Sequence, residues 1–143
     1  MTRYVVIDTN VLVSAMLKEN SVPGHVLKHV FSKNLIPVFN EEILDEYCEV
    51  LLRKKFHFPK EAVFTVLEIL QEQGISIDAG KLNIALPDAK DIVFYEVVME
   101  KRKESSTFLV TGNIKHFPKE PFIVTPREML DILEKKENIQ RNF

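Results

Sequence analysis

Apolar positions along the chain alternate between two spacings. Tyr4-Val5-Val6-Ile7 is an unbroken aromatic and branched run, the mark of a buried strand, and Asp8 ends it. Behind it Val11, Leu12, Ala15 and Met16 recur at helical spacing, with Thr9 and Asn10 able to cap that helix. A second helix is predicted over Ser21 to Phe31, with Pro23 near its start and Val26, Leu27, Val30 and Phe31 as its inner face. Leu35 to Phe39 reads as a second strand, and Pro37 argues against its being a long central one. Asn40 caps a helix striped by Ile43, Leu44, Tyr47, Val50 and Leu51. Pro59 opens another, with Val63, Val66, Leu67 and Leu70, which Gly74 ends.

Ile75 to Ile77 is a short strand, and residues 79–87 are a loop. Asp88 to Arg102 is expected as one helix with Phe94, Val97 and Val98 facing inward. Thr107 to Thr111 is a strand closed by Gly112-Asn113, and Phe122 to Val124 a last short one. Thr125-Pro126-Arg127-Glu128 combines a cap, a proline and a returning glutamate, the signature of a helix start. Strands alternating with helices imply an α/β fold: a three-layer α/β/α sandwich around a central parallel sheet of about five short strands. The expected organisation is a single domain over residues 1–137, with 138–143 a frayed polar tail.

Composition narrows the setting. At 143 residues, 45% hydrophobic and 28% charged, the chain is of ordinary globular type and long enough for a full core. The single Cys48 excludes an internal disulfide. No apolar run reaches the roughly 18 residues of a membrane span, and Asp8 interrupts any leader-like stretch, so a cytoplasmic protein is expected. A net charge of −2 does not announce a nucleic-acid binder. Three basic clusters stand out nonetheless: Arg53-Lys54-Lys55 with His57, Lys101-Arg102-Lys103, and Lys115-His116 with Lys119. Each could equally be a solvated helix end, where cations suit the dipole.

Most carboxylates face solvent by default, so the informative ones are those set apart by position. Asp8 ends a strand, and ligands of parallel sheets bind outside the strands' carboxyl ends. On the helix after Asn40, each residue turns by about 100°, which leaves Glu46 on the margin of the apolar stripe and the most inward of that helix's acids. It could aim into a cleft or pair with Arg53 or Lys54. Asp91 flanks the face made by Val93, Phe94, Val97 and Val98, with Asp88 nearer the back. Both could serve only as helix-start residues. The strand end Thr111-Gly112-Asn113 should share a sheet edge with Asp8, and Asn113 offers it a neutral oxygen or an ordinary turn. Carboxylates gathered at one point repel, and a hard cation such as Mg²⁺ or Mn²⁺ relieves that repulsion. Such an ion can acidify a bound water and steady a phosphate oxygen, the chemistry of metal-assisted phosphodiester hydrolysis.

With these residues in place, the chain resembles the PIN-domain family, nucleases of the PilT N-terminus type, and within it the branch of toxins of toxin–antitoxin systems. The likeness is carried by VVIDTNVLVSAM at 5–16, EEILDEYCEVL at 41–51, PDAKDIVFYEVV at 87–98 and FLVTGNIKHFP at 108–118, in the family's order. It implies a PIN-like sandwich, an acidic pocket binding Mg²⁺ or Mn²⁺, and cleavage of RNA. Carried over by residue, it implies Asp8, Glu46 and Asp91 as the catalytic and metal-binding acids. Asp88 is a weaker candidate for the third. Thr9, Asn10 and Thr111 become supporting pocket residues, and Lys115, His116 and Arg53 contacts to RNA phosphates. The family's frequent fourth acid falls on Asn113, a departure that removes one charge of the cage. The resemblance also implies a small antitoxin partner and a homodimer; no membrane association is expected, since no apolar run is long enough to span one.

Two other enzyme readings fit less well. A phosphatase of the haloacid-dehalogenase type needs a second acid two residues after the first, where Asn10 stands. A phosphoacceptor receiver domain needs its aspartate at the end of the third strand. The non-enzymatic alternative is a PIN fold kept as an RNA-binding or partner-binding module, its activity weakened by Asn113. His25 and His29 sit four apart on one helix, but no third ligand accompanies them.

Overall fold

The structure is a computed structural model, and it describes residues 3–141, with side chains described as far as Lys135. Its elements follow in the order β1 (Arg3–Ile7), α1 (Thr9–Leu17), α2 (Val22–Phe31), β2 (Leu35–Phe39), α3 (Glu41–Leu51) and α4 (Lys60–Gln73). Then come β3 (Ile75–Ser76), α5 (Ile92–Arg102), β4 (Thr107–Val110), β5 (Ile123–Val124) and α6 (Pro126–Arg141). The five strands form one parallel sheet in the order β3-β2-β1-β4-β5. Consecutive residues Val5, Val6 and Ile7 are all buried, as are Leu109 and Val110. Successive strand residues point to opposite faces, so both faces of the sheet are covered by helices. The architecture is the expected α/β sandwich.

The strand order turns at β1. From there the chain builds outward through β2 and β3, then crosses to the other side of β1 to lay down β4 and β5. Neighbouring connections diverge between β1 and β4, which opens a crevice at the carboxyl ends of those strands. Ile7 stands opposite Val110 in register, so Asp8 and Thr111 leave the sheet side by side. The Asp8 N–H donates to the Val110 carbonyl at 2.9 Å, which fixes that alignment.

Pro37 does not push β2 to the edge. The strand is short but internal, lying between β3 and β1. Residues two apart on a strand send their backbone groups to the same side, and the Phe39 carbonyl accepts from Ile77 N–H on the β3 side. The missing N–H of Pro37 therefore also faces β3, one residue before the ladder begins at Val38. No ladder bond is lost. Gly74, between α4 and β3, is required by this close approach, because a Cβ there would lie 2.6 Å from the Pro37 carbonyl oxygen.

Helix starts follow the expected caps. The Asn40 side chain accepts from Ile43 N–H, and Thr125 and Glu128 exchange reciprocal bonds. The segment expected as one helix from Asp88 begins instead with a separate 3₁₀ turn, Ala89–Asp91, before α5. α6 is assigned through residues 138–141, where a frayed tail is expected, and residues 142–143 of that tail lie outside the described ones.

α3 is tied to the end of β1 by Tyr47, whose buried hydroxyl donates to the Ile7 carbonyl. Burial pushes this phenol well above its ordinary pKa, so it remains a donor. The bond holds α3 in rotation, and with it the neighbouring Glu46. Tyr47→Phe leaves the Ile7 carbonyl without that partner, and should lower stability by about 1–3 kcal/mol. Urea unfolding should show a lower midpoint at unchanged slope; an unaltered midpoint would mean that the tie carries no stability.

Candidate active site

The carboxyl end of β1 opens into a cleft of about 1080 Å³, lined from several parts of the chain. The end of β1 and start of α1 contribute Asp8, Thr9 and Asn10; α3 contributes Glu42, Asp45, Glu46 and Glu49. Arg53 and Phe56 follow from the turn after α3, and Asp88, Lys90, Asp91 and Glu96 from the 3₁₀ turn and α5. Small-molecule pockets span roughly 300–1,000 Å³, so this one is at the upper limit.

Asp8 is 5% exposed. Its Oδ2 accepts from the Thr111 hydroxyl at 2.8 Å and from the Asn10 amide at 3.2 Å. Thr111 Oγ1 in turn accepts the Asn113 N–H at 2.9 Å, which directs the threonine proton toward the carboxylate. The Asn10 side chain is oriented from its other end, where Oδ1 accepts Gly112 N–H at 3.1 Å. These bonds stabilise the ionised form, but burial dominates, and with the repulsion of Asp91 it pushes the Asp8 pKa up to about 6.

Glu46 is half-buried and accepts from the Thr9 hydroxyl rather than from Arg53 or Lys54. Arg53 pairs with Glu49 at 3.3 Å instead. Burial raises the Glu46 pKa; the Thr9 bond and Lys90 oppose this, and the charges of Asp8 and Glu49 add to it. Asp91 stands at the N-terminus of α5, yet its side chain makes no capping bond. Its Oδ2 lies 3.1 Å from Nδ1 of His116. Burial again leads in raising its pKa, opposed by His116 and reinforced by Asp88 and Glu46. Each of the three acids is thus made weaker by another, in addition to its own burial.

Asp88 lines the cleft at its exposed edge and caps its own turn through Lys90 N–H. Asn113 is exposed, and its contribution is the backbone bond to Thr111. Lys115 is exposed as well. Neither Asn113 nor Lys115 is among the lining residues, and His116 meets Asp91. The Lys101-Arg102-Lys103 cluster is largely consumed by packing: Lys101 is buried with Nζ 4.3 Å from the centre of the Tyr4 ring, and Arg102 lies over Phe122.

Glu96 was not expected. It is buried, and its Oε2 accepts the Leu82 N–H at 2.7 Å, which holds the 77–87 loop over α5. This loop explains why α5 is buried nearly all round, with Tyr95 and Glu96 covered as well as the expected face. An available signal was its spacing, since Glu96 follows the inward Val93 by three and shares its side of the helix.

The donor set is oxygen-only and anionic, and full ionisation of three mutually repelling acids calls for a cation. That chemistry suits a hard divalent ion. Among the described residues, no three His, Cys, Asp or Glu side chains close around one point as a ligand cage. Thr9 holds Glu46 and His116 holds Asp91.

A family model described as the PIN domain matches residues 4–115. The chain belongs to the PIN-domain family. A protein of Methanocaldococcus jannaschii, named as uncharacterized, is 26% identical to this PIN-domain chain over 112 residues, covering 76% of the chain and 70% of the relative. No solved structure matches. The PIN domain implies a nuclease-type fold, and such domains generally bind nucleic acid and use divalent metals. Among the described residues, no helix is long and apolar enough to cross a membrane.

The raised pKa of Asp8 sets the sign of a pH effect. Between its ordinary value of 3.8 and about 6, the folded protein holds a proton that the unfolded chain has released. Stability therefore falls as pH rises through that window and stays lowered above it. In metal-free protein, Asp8→Asn should be more stable than wild type at pH 7.5, by up to about 3 kcal/mol. The gain should vanish as pH approaches 4. Thermal unfolding in EDTA at several pH values checks this, and a variant less stable at pH 7.5 would show that the acid's hydrogen bonds outweigh its burial.

Proposed function

We propose that this PIN-domain protein is a metal-dependent ribonuclease that hydrolyses RNA phosphodiester bonds. The observation that carries the reading is the meeting of Asp8, Glu46 and Asp91 in one cleft at the switch point of the sheet, each raising another's pKa. Burying three such acids destabilises the fold unless their charge is used. These three would hold Mg²⁺ or Mn²⁺, which when bound supplies charge neutralisation and Lewis acidity toward a phosphate.

The chain's own groups perform the remaining tasks. Thr111 and Asn10 fix the Asp8 carboxylate, and Thr9 fixes that of Glu46. Glu46 or Asp91 orients the attacking water and takes its proton. Arg53 and Lys90 at the cleft, with Lys115 outside it, face the phosphates that flank the cut. On this reading the protein acts in the cytoplasm. The toxin role rests on the sequence likeness alone, and brings with it a small antitoxin partner covering the cleft and a homodimer.

The second reading, an RNA-binding or partner-binding module of weakened activity, is favoured by Asn113, which stands where the family resemblance carries a fourth acid. Cleavage decides between them. Wild type should cut RNA in Mn²⁺ and not in EDTA, and Asp8→Asn should lose at least about a hundredfold in rate with its circular dichroism spectrum unchanged, as expected for loss of an electrostatic catalytic group. RNA bound but left intact in Mn²⁺ would support the module, and full activity of the variant would remove Asp8 from the mechanism.

A further inference from the structure

The turn after α3 places an aromatic ring at the edge of the acidic cleft. Phe56 ends the 3₁₀ turn Lys54–Phe56, lines the cleft and is half-buried. It is not isolated: the Phe58 ring stacks on it at 5.6 Å between centroids and 16° between planes. His57 makes this arrangement possible by adopting the left-handed region, φ 57°, which any residue but glycine enters at a cost. Its N–H closes the turn on the Lys54 carbonyl at 3.1 Å. A strained backbone thus holds the two rings together beside the acids.

Charge around the ring has the opposite sign to that of the cleft floor. Arg53 lines the cleft, Lys54 and Lys55 are exposed, and the Lys55 ammonium lies 5.1 Å from the centre of the Phe56 ring. An exposed cation over an aromatic face is a weak interaction, readily exchanged for a phosphate. An aromatic ring set among cations beside a cleft is the composition of a single-strand platform, where a base stacks and the backbone is neutralised.

We propose that Phe56 is a base-stacking, specificity-determining residue, which seats one nucleobase of a single-stranded segment while Arg53 and Lys55 take the adjoining phosphates. This rests on the nuclease reading for the identity of the polymer, but it concerns binding and not the hydrolytic step. A base inside a duplex is stacked on both faces by its neighbours, so the platform selects unpaired over duplex RNA. Because stacking tolerates any base, it gives little sequence preference.

The test is steady-state cleavage of a single-stranded oligoribonucleotide and of the same sequence as a duplex, in Mn²⁺. Phe56→Ala should raise KM for the single strand roughly five- to hundredfold, as for loss of one stacked base, with kcat within about twofold. Phe56→Trp should restore KM and Phe56→Leu should not, since leucine keeps apolar bulk without a π-face. The chain contains no tryptophan, so tryptophan emission, excited beyond the tyrosine band, reports position 56 alone in the Phe56→Trp variant. That emission should be quenched by the strand, and not by a strand of equal length built from abasic units. Equal KM for the alanine variant and wild type, rescue by leucine, or quenching by the abasic strand would overturn the platform. If wild type binds RNA without cutting it, dissociation constants replace KM, so the platform is judged separately from the nuclease reading. If wild type neither binds nor cuts, both fall.

Discussion

The Thr111 hydroxyl against the Asp8 carboxylate is the contact on which the site depends. It joins the ends of β1 and β4, the two strands between which the sheet's connectivity diverges, and it does so at 2.8 Å in a buried position. A carboxylate carried into that crevice by the strand would be too costly to ionise without donors. Thr111, Asn10 and the Thr9 backbone N–H supply them, and still leave the pKa near 6. The remaining acids are brought to the same place by neighbouring constraints: Tyr47 locks the rotation of α3 beneath Glu46, and the 3₁₀ turn before α5 leaves Asp91 uncapped and facing His116.

What was legible in the residues follows from what is local. The strand run ending at Asp8, the caps at Asn40 and Thr125, and the inward margin of Glu46 depend on short-range spacing, which sequence exposes directly. The side-by-side emergence of Asp8 and Thr111 could be expected from the alternation of strands and helices, because parallel strands share their carboxyl edge. Three features were hidden because each depends on a partner distant in sequence. Glu96 acquires its role only when the loop at Leu82 folds over α5. His116 reads as one more surface cation until β4 carries it to Asp91. Pro37 misleads because its consequence depends on which side of β2 is paired at that residue, a matter of register.

The site is also where the molecule gives up stability. A core of apolar side chains at or near zero exposure surrounds acids that burial makes reluctant to ionise. A protein selected only for persistence would have an amide or an apolar residue at position 8. Retaining a buried acid there is a sign of chemistry. PIN domains are generally nucleases, while the arrangement within this chain determines which groups can act.

The proposed divalent-cation site of the three acids can be tested by titration with Mn²⁺ followed by thermal unfolding, since no substrate need be known. A ligand of the native state at a hundred times its dissociation constant stabilises by about 2.7 kcal/mol, enough to shift the transition by several degrees. Wild type should be stabilised in a saturable manner, and Asp8→Asn, though more stable without metal, should show no further gain. A wild-type protein unmoved by millimolar Mn²⁺ would contradict the proposed site, as would an Asp8→Asn variant stabilised to the same extent.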